Sequence, residues 1–121
     1  MPESVVDHRG STVPARDLCL VHCTVPDTAT GERIAEELVS RRLAACVSLA
    51  PGLRSVYRWQ GRVEKADEVL LLIKTTRARL PALTRAILGH HPYELPEILA
   101  VPVDEGLEGY TDWIRACTTA E

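Results

Sequence analysis

Apolar residues along the chain change their spacing several times, and each change predicts a new element. Residues 18–25, LCLVHCTV, are rich in β-forming side chains and end at Pro26, which predicts a first strand. Asp27 then offers a capping oxygen to the start of a helix that we expect to reach about Arg42. Along this helix one stripe is apolar, made by Ile34, Ala35, Leu38 and Val39.

A long β-hairpin is predicted next. Residues 45–58 favour an extended strand that bends at Pro51 and Gly52 without ending there. Gly61 can adopt the positive φ that tight turns require, so residues 59–62 are predicted to form the tip. The return strand is then expected at residues 63–75.

The rest of the chain predicts a helix, a strand and a last helix. The second helix is expected to start near Arg79 and to stop at Gly89, a residue type that favours left-handed helix ends. Residues 97–103 predict a further strand, and residues 107–116 predict a C-terminal helix. The order βαββαβ with one extra helix is that of an α+β, ferredoxin-like sandwich, with an antiparallel sheet and two helices on one face.

The predicted sheet is apolar on both faces. Residues 69–73, VLLLI, and residues 98–101, ILAV, have no alternation between apolar and polar side chains. Strands of this kind are covered on both sides in folded proteins. Two helices cover only one face, and the last helix is too short to cover the other. We therefore expect further copies of the chain to bury the second face, which predicts an obligate homo-oligomer.

Composition and charge exclude several classes of protein. The formal net charge of −3 argues against a general nucleic-acid-binding surface, which is usually strongly basic. The longest aliphatic run, Val69 to Ile73, is far shorter than the roughly 20 residues of a membrane span. Residues 1–16 have neither apolar periodicity nor the apolar core of a secretory signal. We expect them to form a flexible N-terminal tail before a domain at 17–121, and we expect the protein to be cytoplasmic.

Six segments from residue 23 onward form a recognisable pattern. They are CTVPD at 23–27, LAACV at 43–47, YRWQGRVE at 57–64, IKT at 73–75, HPYELPE at 91–97 and YTDW at 110–113. In order and spacing they resemble the CutA divalent-cation-tolerance family. The resemblance implies a ferredoxin-like subunit in a homotrimer laid out like the PII signalling proteins. It also implies a cytoplasmic protein linked to tolerance of copper and other divalent metals.

A copper site is implied by the same resemblance, on Cys23, His90 and His91. Thiolate and imidazole ligands suit copper or zinc rather than magnesium. Because Pro92 holds His91 extended, the two histidine rings are expected to diverge, and both reach one ion only with a distorted loop or a second subunit. The alternative is purely structural, with Cys23 in the core, His90 at a helix end and His91 bonded to the backbone.

Large aromatic residues and polar residues near strand ends predict subunit contacts. The residues expected at an intersubunit interface or cleft are Tyr57, Trp59, Lys74, Tyr93, Glu97 and Trp113. Phosphate-binding loops and the motifs of zinc proteases and serine hydrolases are absent, so we expect neither enzymatic activity nor an organic cofactor. The alternative function is that of a PII-like signalling or partner-binding trimer, with a small molecule in the clefts between subunits.

Overall fold

The computed structural model describes residues 10–119. It contains the predicted strands and helices in their predicted order, together with two short strands, Thr12–Pro14 and Glu105–Leu107, that the sequence pattern did not predict. Six strands, three helices and one short 3-10 helix are present in this range. The strands are β1 (Thr12–Pro14), β2 (Leu18–Val25), β3 (Cys46–Trp59), β4 (Arg62–Thr76), β5 (Leu99–Pro102) and β6 (Glu105–Leu107). The helices are α1 (Thr28–Ser40), α2 (Leu80–His90), preceded by the 3-10 helix at Arg77–Arg79, and α3 (Glu108–Cys117).

The main sheet has the strand order β3-β4-β2-β5, and every neighbouring pair is antiparallel. With α1 and α2 as the two crossovers, this is the ferredoxin-like βαββαβ arrangement, and α3 is the extra C-terminal helix. The predicted α+β fold is therefore confirmed.

Local sequence features form the elements as expected. The Asp27 carboxylate accepts a hydrogen bond from the Thr30 amide at 2.8 Å and caps α1. The β3–β4 register shifts between Ala50 and Leu53, which is the predicted bend at Pro51 and Gly52. At the hairpin tip Gln60 and Gly61 both have positive φ, 50° and 80°.

One face of the sheet forms the core with α1 and α2. Alternate residues of β2 and β4 point towards the helices and are buried, and Ile34, Leu38, Leu83 and Ile87 pack onto them. The buried sheet residues on this face are Cys19, Val21, Cys23, Val25, Val69, Leu71 and Ile73.

The opposite face of the sheet, here called the outer face, is only partly covered in the single chain. It is defined by Leu20, Leu70, Leu72, Leu99 and Val101, which share one side of three paired strands. Leu99 is 61% exposed and Val101 is 47% exposed. The predicted second apolar face is thus present, and its Leu99 and Val101 are exposed in the single chain.

The C-terminal helix covers only one end of the outer face. There Ile114 of α3 packs with Ala15, Leu18 and Ala45. This agrees with the expectation that the last helix is too short to bury the whole face. No helix among residues 10–119 is long and apolar enough to cross a membrane.

The N-terminal part of the prediction needs correction. Residues 1–9 of the predicted tail lie outside the described residues, but Thr12–Pro14 form β1, which pairs with β6. Ala15 is completely buried, and Arg16 forms an ion pair with Asp104 at 2.8 Å. The ordered domain therefore begins before Asp17. Residues 12–14 pair with β6, which is distant in the chain, and no pattern within residues 12–14 predicts this pairing.

The end of α2 also differs from the prediction. Gly89 does not have a positive φ, and the helix continues to His90. It ends at His91, whose extended backbone is the conformation that a following proline requires. Pro92 rather than Gly89 therefore stops the helix.

Candidate functional site

His91 is fixed in one tautomer by two backbone contacts. Its Nδ1 accepts a hydrogen bond from the Tyr93 amide at 3.1 Å, and its Nε2 lies 2.7 Å from the Thr24 carbonyl oxygen. Because an amide only donates, Nδ1 holds no proton, and Nε2 donates its proton to the carbonyl. Pro92 keeps the backbone of His91 extended, and in this conformation the His91 ring contacts the end of β2.

Cys23 contacts the same carbonyl oxygen. Its side chain is completely buried, and its Sγ lies 3.9 Å from the Thr24 carbonyl oxygen. Burial raises the pKa of the Cys23 thiol to about 12, and the charges of Glu97 and Glu68 contribute to the rise. The structure therefore brings Cys23 and His91 together around one shared acceptor, with a protonated thiol at neutral pH.

His90 lies apart from these two residues. Its ring is half exposed, and its Nε2 is 3.9 Å from a carboxylate oxygen of Glu37 on α1. The two histidine rings thus have different partners, as their neighbouring positions predicted. Among residues 10–119, no group of three or more His, Cys, Asp or Glu side chains is arranged to hold a metal ion.

A cavity of about 740 Å³, here called the hairpin groove, lies between the β3–β4 hairpin and the segment after His91. Its lining residues are Thr24, Ser55, Val56, Tyr57, Arg58, Trp59, Glu68, Pro92, Tyr93, Glu94, Leu95 and Glu97. Four of the six residues predicted at an interface or cleft line it, namely Tyr57, Trp59, Tyr93 and Glu97. The groove adjoins Cys23 and His91, because Thr24, whose carbonyl oxygen both of them contact, is one of its lining residues.

Glu68 lies in the wall of the groove and is not among the residues that the sequence pattern predicted for a cleft. It is 9% exposed, and its Oε2 accepts a hydrogen bond from the Tyr93 hydroxyl at 2.8 Å. Burial, followed by this hydrogen bond and the charge of Glu68, raises the pKa of Tyr93. The available signal was the position of Glu68 directly before the buried aliphatic run of β4.

Lys74 and Trp113, the other two predicted interface residues, lie outside the groove. The Lys74 Nζ donates to the Ser48 hydroxyl at 2.8 Å and lies 3.8 Å from the Cys46 Sγ, between β3 and β4. Trp113 is on α3, where its ring lies 5.4 Å from that of Tyr110. The six predicted residues therefore occupy at least two separate places on one chain.

Comparison with known proteins identifies the family. Residues 19–117 match the family described as CutA1 divalent ion tolerance protein. A relative from Thermus thermophilus, named divalent-cation tolerance protein CutA, is 48% identical over 99 residues, which cover 82% of this chain and 96% of the relative. The chain belongs to the CutA divalent-ion tolerance family. The resemblance noted in the sequence motifs is confirmed.

Other CutA proteins extend the likeness over more of the chain. The solved structure of CutA from Synechococcus elongatus PCC7942 has a TM-score of 0.88 and 34% identity, and the match covers 93% of this chain and 100% of that one. A relative from Arabidopsis thaliana, named protein CutA, chloroplastic, is 37% identical over 113 residues. That match covers 93% of this chain but 60% of the plant protein. CutA proteins thus include a chloroplast member, so family membership alone does not give a cytoplasmic location.

Proposed function

We propose that this CutA chain is a cytoplasmic, non-enzymatic homotrimer that binds copper, or zinc and other divalent cations, in metal tolerance. The names of its relatives, divalent-cation tolerance proteins, support the general function. They do not favour the alternative of a PII-like signalling protein. The metal ligands of the proposal are Cys23, His91 and His90.

One observation supports the site most directly. The Cys23 Sγ and the His91 Nε2 both donate to the Thr24 carbonyl oxygen, so a soft donor and an intermediate donor are neighbours. Thiolate with imidazole is a donor set suited to copper or zinc. A copper ion bound here would displace the thiol proton of Cys23. The Nε2 of His91 would become a ligand once its proton moves to Nδ1, which breaks the hydrogen bond from the Tyr93 amide.

His90 is the third ligand of the proposal and needs a rearrangement. Its ring faces Glu37, so it must leave that contact to reach an ion at Cys23 and His91. The contact is a weak one, at 3.9 Å and half exposed, and such surface pairs contribute about 0–1 kcal/mol. We therefore expect Cys23 and His91 to determine the affinity and His90 to add less.

The trimer is supported by the outer face. Leu99 and Val101 are exposed in the single chain, and Leu20, Leu70 and Leu72 are only half-buried. Large exposed apolar patches usually mark contacts with other chains. In the proposed assembly, other copies of the chain cover Leu99 and Val101.

Copper titration of cysteine and histidine variants tests the site. Anaerobic titration of Cu(I) against a competing chelator is expected to show at least about a hundredfold weaker binding for Cys23→Ala and for His91→Ala. His90→Ala is expected to lose less. Cys19→Ala is the matched control, because Cys19 is a buried cysteine on the same strand and face. Equal affinity for the wild type, Cys23→Ala and Cys19→Ala would show that the site does not exist.

A further inference from the structure

The hairpin groove combines acidic and aromatic side chains. Three carboxylates line it, those of Glu68, Glu94 and Glu97, and Arg58 is the one basic residue among its described lining residues. The groove therefore has the polarity that attracts a cation.

Glu68 is the buried charge in this groove. Its side chain is 9% exposed, and its hydrogen-bond partner is the neutral Tyr93 hydroxyl. Among residues 10–119, no ion pair joins Glu68 to a basic side chain. A buried carboxylate without a positive partner is costly, and a bound cation would offset that cost.

Aromatic rings are concentrated at the same place. The chain has two Trp, three Tyr and no Phe, and three of these five residues, Tyr57, Trp59 and Tyr93, line the groove. Aromatic faces attract cations through their quadrupole and also bury the carbon atoms of a ligand. A bare or hydrated metal ion gains little from such rings, whereas an organic cation uses both the rings and the carboxylates.

We propose that the hairpin groove binds a small organic cation, an amine or a guanidinium, with its charge against Glu68 and its carbon atoms against Tyr57, Trp59 and Tyr93. The volume of about 740 Å³ is in the range of small-molecule sites in proteins, roughly 300–1,000 Å³. This ligand is different from the metal of the proposed function, and its binding does not depend on Cys23 or the histidines as ligands.

Charge-matched probes test the chemistry of the groove. Isothermal titration calorimetry is run on the assembled protein in phosphate buffer, which contains no amine, with EDTA to remove metal ions. The probes are benzylamine and agmatine, with benzyl alcohol and benzoate as neutral and anionic controls. At least one of the two cations is expected to bind about tenfold or more tightly than either control. If neither cation binds, or if benzyl alcohol binds equally well, the proposal is wrong. A second copy of the chain that fills the groove would prevent both cations from binding.

Variants then locate the binding site. Glu68→Gln keeps the size of the side chain and removes its charge, and it is expected to weaken binding of the cation about tenfold. Trp59→Leu is expected to weaken it several-fold through the loss of the ring. Glu64→Gln is the control, because Glu64 is half-buried on the same strand but does not line the groove. Equal losses for Glu68→Gln and Glu64→Gln, or no loss for Glu68→Gln with native circular dichroism, would overturn the assignment.

Discussion

Thr75 shows how much one buried hydroxyl group contributes at the scale of a residue. Its side chain is completely buried, and its Oγ1 donates to the Leu43 carbonyl at 2.6 Å. Thr75→Val keeps the shape but leaves that carbonyl without its donor, so we expect a loss of about 1–3 kcal/mol in unfolding free energy. Thr76→Val, at the next and half-buried position, is the control, and its effect is expected to stay within about 0.5 kcal/mol. Urea unfolding of both variants measures the difference, and equal effects would contradict this assignment.

Individual site residues were predictable to different degrees. Tyr57, Trp59, Tyr93 and Glu97 are large aromatic residues or polar residues near strand ends, and they line one groove. Glu68 was not predicted because its hydrogen-bond partner, Tyr93, lies 25 positions away in the chain. Proximity of this kind is created by the fold and has no local pattern in the sequence.

At the scale of elements, one ion pair links α3 to the start of the main sheet. Arg115 donates to both carboxylate oxygens of Asp17, at 2.7 and 2.9 Å. The hydrogen bonds from Arg115 lower the pKa of Asp17, and burial opposes the shift. A lowered pKa means that the pair stabilises the folded state fully above the ordinary carboxyl pKa of about 4, and that this stabilisation is lost as the pH falls through the lower folded value.

Asp17→Asn tests this link through its pH dependence. Since the Asp17 side chain is 57% exposed, solvent screening limits the expected loss at pH 7 to about 1 kcal/mol or less. The difference from the wild type should be constant between about pH 5 and 7 and should shrink below about pH 4. Denaturant unfolding at several pH values measures it. Glu32→Gln on α1 is the control, and a difference from the wild type that grows towards acid pH would contradict the lowered pKa of Asp17.

Element boundaries were predictable where a local signal determines them. Asp27 caps α1, and the turn at Gln60 and Gly61 closes the hairpin, as the residue types indicated. Gly89 predicted the end of α2 one residue too early. Pro92 restricts His91 to an extended backbone, and this restriction determines where the helix ends. β1 and β6 were missed because each has three residues, and only their pairing with each other makes them strands.

At the scale of the whole molecule, the two faces of the main sheet are covered to different extents. The inner face is closed by α1 and α2, and the outer face is closed at one end by Ile114 of α3. The hairpin extends this sheet beyond the helices and forms one wall of the groove. Assembly through the outer face would therefore place further copies of the chain next to the groove, and the organic cation would bind near a subunit boundary.

The last prediction concerns the assembly itself. Leu99→Glu places a charge on the outer face, where Leu99 is 61% exposed in the single chain. If other copies cover this face, burying the new carboxylate is costly, so the trimer should dissociate into smaller species. Leu88→Glu is the matched control, because Leu88 is 55% exposed on α2 and lies on the helix side. Sedimentation velocity at micromolar concentration is expected to show a trimer for the wild type and for Leu88→Glu, and smaller species for Leu99→Glu. A folded wild-type monomer under these conditions would mean that the open outer face is not a subunit contact.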